Sequence, residues 1–223
     1  MAIPTEFLKS IPYFSGMRPE ILEETRRLVF DKKFKGGEII LLEGEPAEAL
    51  FFVASGAVKM FKTSPEGKEQ ILSIVRPGES FNDISVFDGG LNPASAEAMG
   101  DVFLYGIEGA QVEGILSKHP EVAVNVVKVL SQRVRQLVTL VEDLSFRHVQ
   151  SRVAKILLEY ASDRTDPRPR LTQQEMAAMA GTAREVVGRS LKALEEAGFI
   201  KLESHRVVIN DKEALRKMVA EPV

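Results

Sequence analysis

The stretch Leu171–Ile209, LTQQEMAAMAGTAREVVGRSLKALEEAGFIKLESHRVVI, constrains the fold more tightly than any other, because it reads as helix, tight turn, helix and short two-stranded hairpin. Thr172 stands at an N-cap, Glu175 completes a capping box, and Gln173–Met179 follows as the first helix. Gly181 falls where the turn needs a left-handed residue. Thr182 is placed to cap a second helix, Ala183–Glu196, which Gly198 ends. On a helical wheel Ala183, Val187, Leu191 and Leu194 form an apolar stripe, with Arg184, Glu185, Gly188, Arg189 and Lys192 opposite. Arg matches guanine O6 and N7 with two parallel donors, Glu accepts from cytosine N4, and Gly188 leaves room for close approach. A charged helix face is more often merely solvated. The glycine turn, the two caps and the hairpin favour a face that reads double-stranded DNA.

The chain has 223 residues, 44% hydrophobic and 27% charged, enough for one large or two small globular domains. It has no cysteine, which excludes disulfides, thiolate zinc sites, iron–sulfur ligation and thiol redox sensing. No apolar run is long enough to span a membrane, and MAIPTEF lacks the form of a signal peptide, so a cytoplasmic location is expected. The net charge of −3 is unevenly spread. Residues 145–223 hold 14 Lys+Arg against 11 Asp+Glu, leaving 15 against 21 in residues 1–144. A basic tail on an acidic body suits a nucleic-acid partner. Glu79, Asp83 and Asp88 have no histidine or nucleophile motif beside them, so neither an enzyme nor a metal site is expected.

Thr5–Lys33 reads as short helices, broken at Ser15-Gly16 and restarted at Pro19. Beyond Phe34 the period changes. Glu38–Leu42, Ala49–Ala54, Gly56–Thr63, Glu69–Arg76, Ala94–Met99 and Val102–Glu108 are short strands, most of them separated by glycine and proline turns. Such spacing predicts a small barrel or sandwich, here a jelly roll. Val112–Lys118 is a short helix, and Pro120 opens a long one. Along it Val127, Leu130, Val134, Leu137, Val141 and Leu144 are spaced as a heptad seam, which predicts a parallel two-stranded homodimer. Arg147–Ala161 is a further helix, and Ser162–Arg170 is a polar surface loop.

The run GGEIILLEGEPAEALFFVASGAVKMFKTSPEGKEQILSIVRPGESF resembles a cyclic-nucleotide-binding β-roll. With FLKSIPYFSGMRPEILEE before it and the helix-turn-helix after it, nearly the whole chain resembles the CRP/FNR superfamily of bacterial transcription regulators. The expected class is α+β: a β-roll sensor over 1–118, a dimerisation helix and hinge over 119–145, and a winged helix-turn-helix over 146–223. Leu144–His148 falls where the family has its hinge. The resemblance implies a palindromic, TGTGA-like site read by Arg184, Glu185 and Arg189. Val186 departs from the Thr common there, which leaves the outer base open. Thr172 and Gln174 match backbone-contacting positions, and Thr182, Lys192, Lys201 and Arg206, with His205, are further phosphate contacts. RNA polymerase is an implied partner through the Ser162–Arg170 loop.

The effector does not follow from the family. Its phosphate-binding cassette runs Gly-Glu, Leu, Gly-Leu-Phe, then Arg-Ser-Ala, where this chain has Asn82-Asp83-Ile84-Ser85-Val86-Phe87, then Pro93-Ala94-Ser95. Pro93 replaces the arginine that would pair with a cyclic phosphate and also lacks an N–H, while Asp83 and Asp88 repel an anion. Leu137 and Val138 stand where binders of cyclic AMP carry hydroxyls. The expected pocket is apolar, with Phe81, Ile84, Val86, Leu137 and Val138 about Asn82, Asp83, Pro93, Ala94 and Ser95, and Asn82 and Ser95 as its polar contacts. Binding of cyclic AMP in the usual way is not expected. Three readings stay open: haem, as in gas-sensing relatives, which a methionine such as Met60 or Met99 could ligate; another small or apolar effector; or a packed, effector-independent interior. His119 and His205 are expected to be exposed, and His148 to be a surface residue.

Overall fold

The computed structural model describes residues 3–160, 171–203 and 206–220. The chain divides into two compact units, one of Met1–Lys62 with Ser73–Arg135, the other of Thr63–Leu72 with Gln136–Val223.

The N-terminal part opens with α1 (Thr5–Ser10), a 3-10 turn (Pro12–Phe14) and α2 (Pro19–Arg26), which carries proline at its first position. Strands β1 (Phe30–Phe34), β2 (Ile39–Leu41), β3 (Ala49–Ser55), β4 (Val58–Thr63), β5 (Glu69–Val75) and β6 (Ser80–Phe81) follow. Then come α3 (Asp83–Asp88), β7 (Ser95–Ala98), β8 (Val102–Glu108) and α4 (Gly109–Lys118). The strands form two four-stranded sheets, ordered β1-β8-β3-β6 and β2-β7-β4-β5. The β-roll expected from the sequence is present.

Strand β1 corrects the reading of Thr5–Lys33 as helical. Phe30 and Phe34 are four apart, a spacing that serves a helix as well as an edge strand, and the pairing with β8 decides between them. The dipeptide β6 and helix α3 are likewise too short for periodicity to reveal.

Strand β3 is an almost continuous apolar run because both its faces are covered. Phe51 and Val53 point between the sheets, with Val58, Val75, Phe81, Ala96 and Leu104. Leu50 and Phe52 face Leu8, Ile11, Tyr13, Phe14, Ile21 and Leu22 of the N-terminal helices. Between the sheets the Phe51 and Phe81 rings stack with centroids 5.4 Å apart, and Phe30 meets Phe51 edge-on at 6.1 Å. The β3–β4 turn requires Gly56. Its φ is +82°, and a Cβ there would lie 2.4 Å from the Asp101 carbonyl oxygen.

Helix α5 (Pro120–Phe146) carries two apolar strips. Val122 and Val126 are buried against the N-terminal core, with Val129 and Leu130 packed beside them. The second strip, Val124, Val127, Val134, Val138 and Val141, stays 57–63% exposed. Of the heptad positions, Val127, Val134, Leu137 and Val141 are exposed, whereas Leu130 and Leu144 are half-buried within their own chain. No helix among the described residues is long and apolar enough to cross a membrane.

The C-terminal part holds α6 (Val149–Tyr160), α7 (Gln173–Ala180), α8 (Arg184–Glu196), the hairpin β9 (Ile200–Glu203) and β10 (Arg206–Ile209), and α9 (Lys212–Ala220). Its core is Val153, Ile156, Leu157, Met176, Val187, Leu191, Leu194, Ile200 and Leu215. Each aliphatic side chain buried there contributes about 1.5–3 kcal/mol. The α6 helix starts two residues later than the sequence suggests, and the Ser162–Arg170 loop lies outside the described residues.

Candidate nucleic-acid interface and effector cassette

The helix-turn-helix is built largely as its sequence dictates. The Thr172 hydroxyl accepts from the Glu175 N–H at 3.1 Å, and the Glu175 carboxylate accepts from the Thr172 N–H at 2.6 Å. These bonds satisfy two donors that the start of α7 would otherwise leave open. Gly181 ends α7 at φ +62°, and its N–H donates to the Ala177 carbonyl. Helix α8 ends with Gly198 at φ +78°, its N–H donating to Glu195 and that of Phe199 to Leu194.

The start of α8 differs from expectation. Its N-cap is Ala183, with no side-chain bond, so Thr182 does not cap it. Ala183 is exposed and does not belong to the buried stripe, which Val187, Ser190, Leu191 and Leu194 form. Ser190 sits on that side because its hydroxyl donates to the Val186 carbonyl at 2.9 Å. A serine bonded back one turn presents little polarity, an effect that hydropathy alone does not register.

Arg184, Glu185 and Arg189 are all exposed on one side of α8. None of their side chains has a hydrogen bond or ion pair with any described residue. Lys192 is 75% exposed and only loosely paired with Glu196 at 3.9 Å. Thr172 and Gln174 are exposed at the start of α7, and Lys201 lies on β9, 3.8 Å from Glu203. Arg206 opens β10, and His205 falls outside the described residues. The result is an outward cationic face with donors left unspent, on a helix whose other side is locked in a core.

The cassette region is the reverse. Asn82 takes φ +67°, a conformation that glycine or asparagine accepts most readily, and its side-chain amide donates to the Ala49 carbonyl at 3.0 Å. Asp83 is 2% exposed. Its carboxylate accepts from the Tyr13 hydroxyl and from the Arg133 guanidinium of α5, and Arg133 also donates to Ser80 Oγ at 3.0 Å and to the Ser80 carbonyl. Burial, and next the Asp83 charge, push the Tyr13 hydroxyl well above its usual pKa, so it stays a donor. Ser85 donates to the Leu91 carbonyl at 3.2 Å, Asn92 to Leu42 at 3.1 Å, and Ser95 accepts from the Glu43 N–H at 3.0 Å.

The two polar contacts expected for an effector, Asn82 and Ser95, are therefore committed within the chain. Phe81 and Ala94 are buried, Val86 is half-buried and Pro93 is exposed. Ile84 is 50%, Leu137 45% and Val138 62% exposed within the single chain. Met60 is a partly buried neighbour of the apolar interior. An apolar void lined by Tyr13, Phe14, Leu50, Phe87 and Ile107 among others measures about 10 Å³, room for no more than a water molecule. No local signal marks the Tyr13–Asp83–Arg133 link, whose outer members lie 70 and 50 residues from Asp83.

His119 corrects another expectation. Its side chain is only 17% exposed, and Nε2 lies 3.0 Å from a Glu24 carboxylate oxygen while Lys118 holds the other at 2.7 Å. Those contacts, the Lys118 bond first, hold the Glu24 carboxyl below its usual range.

Comparison with known proteins places both halves. Residues 31–119 match the cyclic nucleotide-binding domain, and residues 151–218 match the Crp-like helix-turn-helix domain. A CRP-like cAMP-activated global transcriptional regulator of Mycobacterium tuberculosis is 30% identical, across 95% of this chain and 98% of its own. A cyclic AMP receptor protein of Thermus thermophilus is 32% identical over the same shares. The crystal structure of the Thermus thermophilus catabolite activator protein superposes with a TM-score of 0.55 at 32% identity, covering 94% of this chain and 98% of that one.

Proposed function

This chain belongs to the CRP/FNR superfamily of DNA-binding transcription regulators, not enzymes, and we propose that it acts as a homodimer on a palindromic, TGTGA-like site without cyclic AMP bound in the usual way. The observation that carries the DNA half of this reading is the outward, unpartnered set Arg184, Glu185 and Arg189 on α8. Arg184 and Arg189 are free to grip guanine edges in two-pronged fashion, and Glu185 to accept from cytosine. Thr172, Gln174, Thr182, Lys192, Lys201 and Arg206 serve the phosphates, which fixes register without reading sequence. The exposed valine strip on α5 supports the pairing, since a continuous apolar strip on a long helix is stabilised by a second copy. Two-fold pairing would bring two reading helices to successive major-groove faces about 34 Å apart. RNA polymerase is the partner through which such a complex would act on transcription.

The test is binding to a site selected from random DNA. Arg184→Ala weakens specific binding by about 1–3 kcal/mol per half-site and relaxes one base position. An equal loss on random DNA would reduce Arg184 to a phosphate contact and sink the base-reading role.

On the input side, the support is the cassette. Pro93 offers neither charge nor N–H at the phosphate position, and the Asp83 carboxylate is already filled by Tyr13 and Arg133. The stacked Phe51 and Phe81 occupy the roll interior, which favours an effector-independent regulator or one whose ligand binds elsewhere. A second reading, a cyclic-AMP-responsive regulator with an unusual cassette, draws on the printed names of the Mycobacterium and Thermus relatives. Calorimetric titration with cyclic AMP separates the two: heat of binding, with tighter DNA binding, would establish the second reading and overturn the first.

A further inference from the structure

The last turns of α5 carry a charged cluster outside the set of residues read above as DNA contacts. Asp143 is 7% exposed, a costly place for a carboxylate unless it is paired. Lys155 of α6 donates to one Asp143 oxygen, while Arg147 Nε forms an ion pair with the other at 2.6 Å without hydrogen-bond geometry. Arg147 donates to the Val219 carbonyl at the end of α9. Arg152 of α6 donates to the Arg147 carbonyl at 2.6 Å and to the Ala180 carbonyl, the last of α7, at 2.8 Å. Burial pulls the Arg152 guanidinium below its usual pKa, with Asp143 opposing, and the group still serves as a pure donor.

Three helix ends thus meet one node. Helices terminate with unpaired carbonyls and partial negative charge, which guanidinium groups complement. The turn of the helix-turn-helix lies on the same node, for a Cβ at Gly181 would fall 2.7 Å from Leu144 Cδ2. Side-chain bonds therefore bridge Leu144–His148, the segment with a hinge's position in the family. Val138 and Val141 of the exposed strip stand on the same helix, within five residues of Asp143.

We propose that this node sets the half-site spacing the dimer accepts, with Asp143, Arg152 and Lys155 as positioning residues that join the partner-facing helix to the reading head. The inference rests on the dimeric reading above. A node that holds the end of α5 against the α7–α8 turn leaves the two reading heads one permitted separation. An inserted base pair moves a half-site about 3.4 Å along the duplex and turns it about 35°, which either the node or the DNA must absorb.

The experiment is selection from, and then competition on, a library of the preferred inverted repeat in which the central spacer is lengthened or shortened by one base pair. Full-length wild-type protein should lose about tenfold or more in affinity on each altered spacer. Asp143→Asn and Lys155→Met should cut that penalty to about threefold or less, with affinity for an isolated half-site unchanged within about twofold. Lys155→Arg should restore the wild-type profile. If Asp143→Asn does not fold, the Lys155 pair of variants decides alone, since that side chain is 27% exposed. Folded variants that keep the wild-type spacer profile would overturn the node's role. A wild-type protein that shows no preference for an inverted repeat would instead remove the dimeric reading beneath it.

Discussion

Arginines on two helices of this chain are put to opposite uses. Arg133 on α5 is spent on Asp83 and Ser80, within a cluster completed by the Tyr13 hydroxyl. The side chains of Arg184 and Arg189 on α8 bond to no described residue. In the β-roll the chain answers the polar groups around α3 from within. In the reading unit it has left donors open on a face anchored by an ordinary apolar core. A binding surface needs groups whose partners come from outside; a locked site needs the reverse.

The β-roll side of this contrast breaks most sharply at Asp83. Asp83→Asn keeps the shape but strands Arg133 beside a neutral amide, and losing one member of a buried pair costs about 3–5 kcal/mol. Arg133 is 28% exposed, so water recovers part of that cost and the low end is expected. Chemical denaturation of the full chain, followed by a probe in the roll, should show the midpoint fall while the C-terminal transition stays put. No change would mean that the cassette is not locked by this carboxylate, and the contrast with α8 would lose its basis.

On the reading side, Thr172→Ala removes a cap instead of a charge. The expected loss is about 1 kcal/mol, confined to the transition that unfolds the C-terminal core. Because α7 supports the turn before α8, affinity for specific DNA should fall with it. Serine at this position should restore both. A stable Thr172→Ala protein with weakened DNA binding would show Thr172 acting as a phosphate contact beyond its cap.

Much of the reading unit is legible in the sequence because its signals are local. Thr172 with Glu175, Gly181 and Gly198 each dictate backbone geometry within a few residues, and each is found where the sequence puts it. Ala183 and Thr182 mislead because alanine fits an apolar stripe as well as an exposed cap position, and only the packing of α8 distinguishes them. The roll is legible as short strands with glycine turns, but β1 is not, because its two phenylalanines flank three charged residues and only β8 makes it a strand. The cassette is legible only in what it lacks. Pro93 announces the missing arginine, but nothing near Asp83 in sequence announces Tyr13 or Arg133. Partners that distant are chosen by the fold, and no local rule reaches them.

The smallest effect should come from Lys192, which tests whether the open face of α8 is one surface or two. Its side chain is 75% exposed, and its pair with Glu196 is a loose surface interaction, so Lys192→Ala should leave stability unchanged within about 0.5 kcal/mol. If Lys192 meets a phosphate, specific and random DNA should weaken alike, because every sequence offers the same charge. The slope of log affinity against log salt should then become shallower by about 0.9 for each phosphate no longer neutralised, hence by roughly twice that in a dimer. Arg184→Ala should behave differently, weakening binding more on the selected site than on random DNA. A Lys192 variant that loses discrimination while keeping its salt slope would move Lys192 among the base readers. The exposed face would then extend one turn further along α8 than the Arg184–Arg189 pair alone implies.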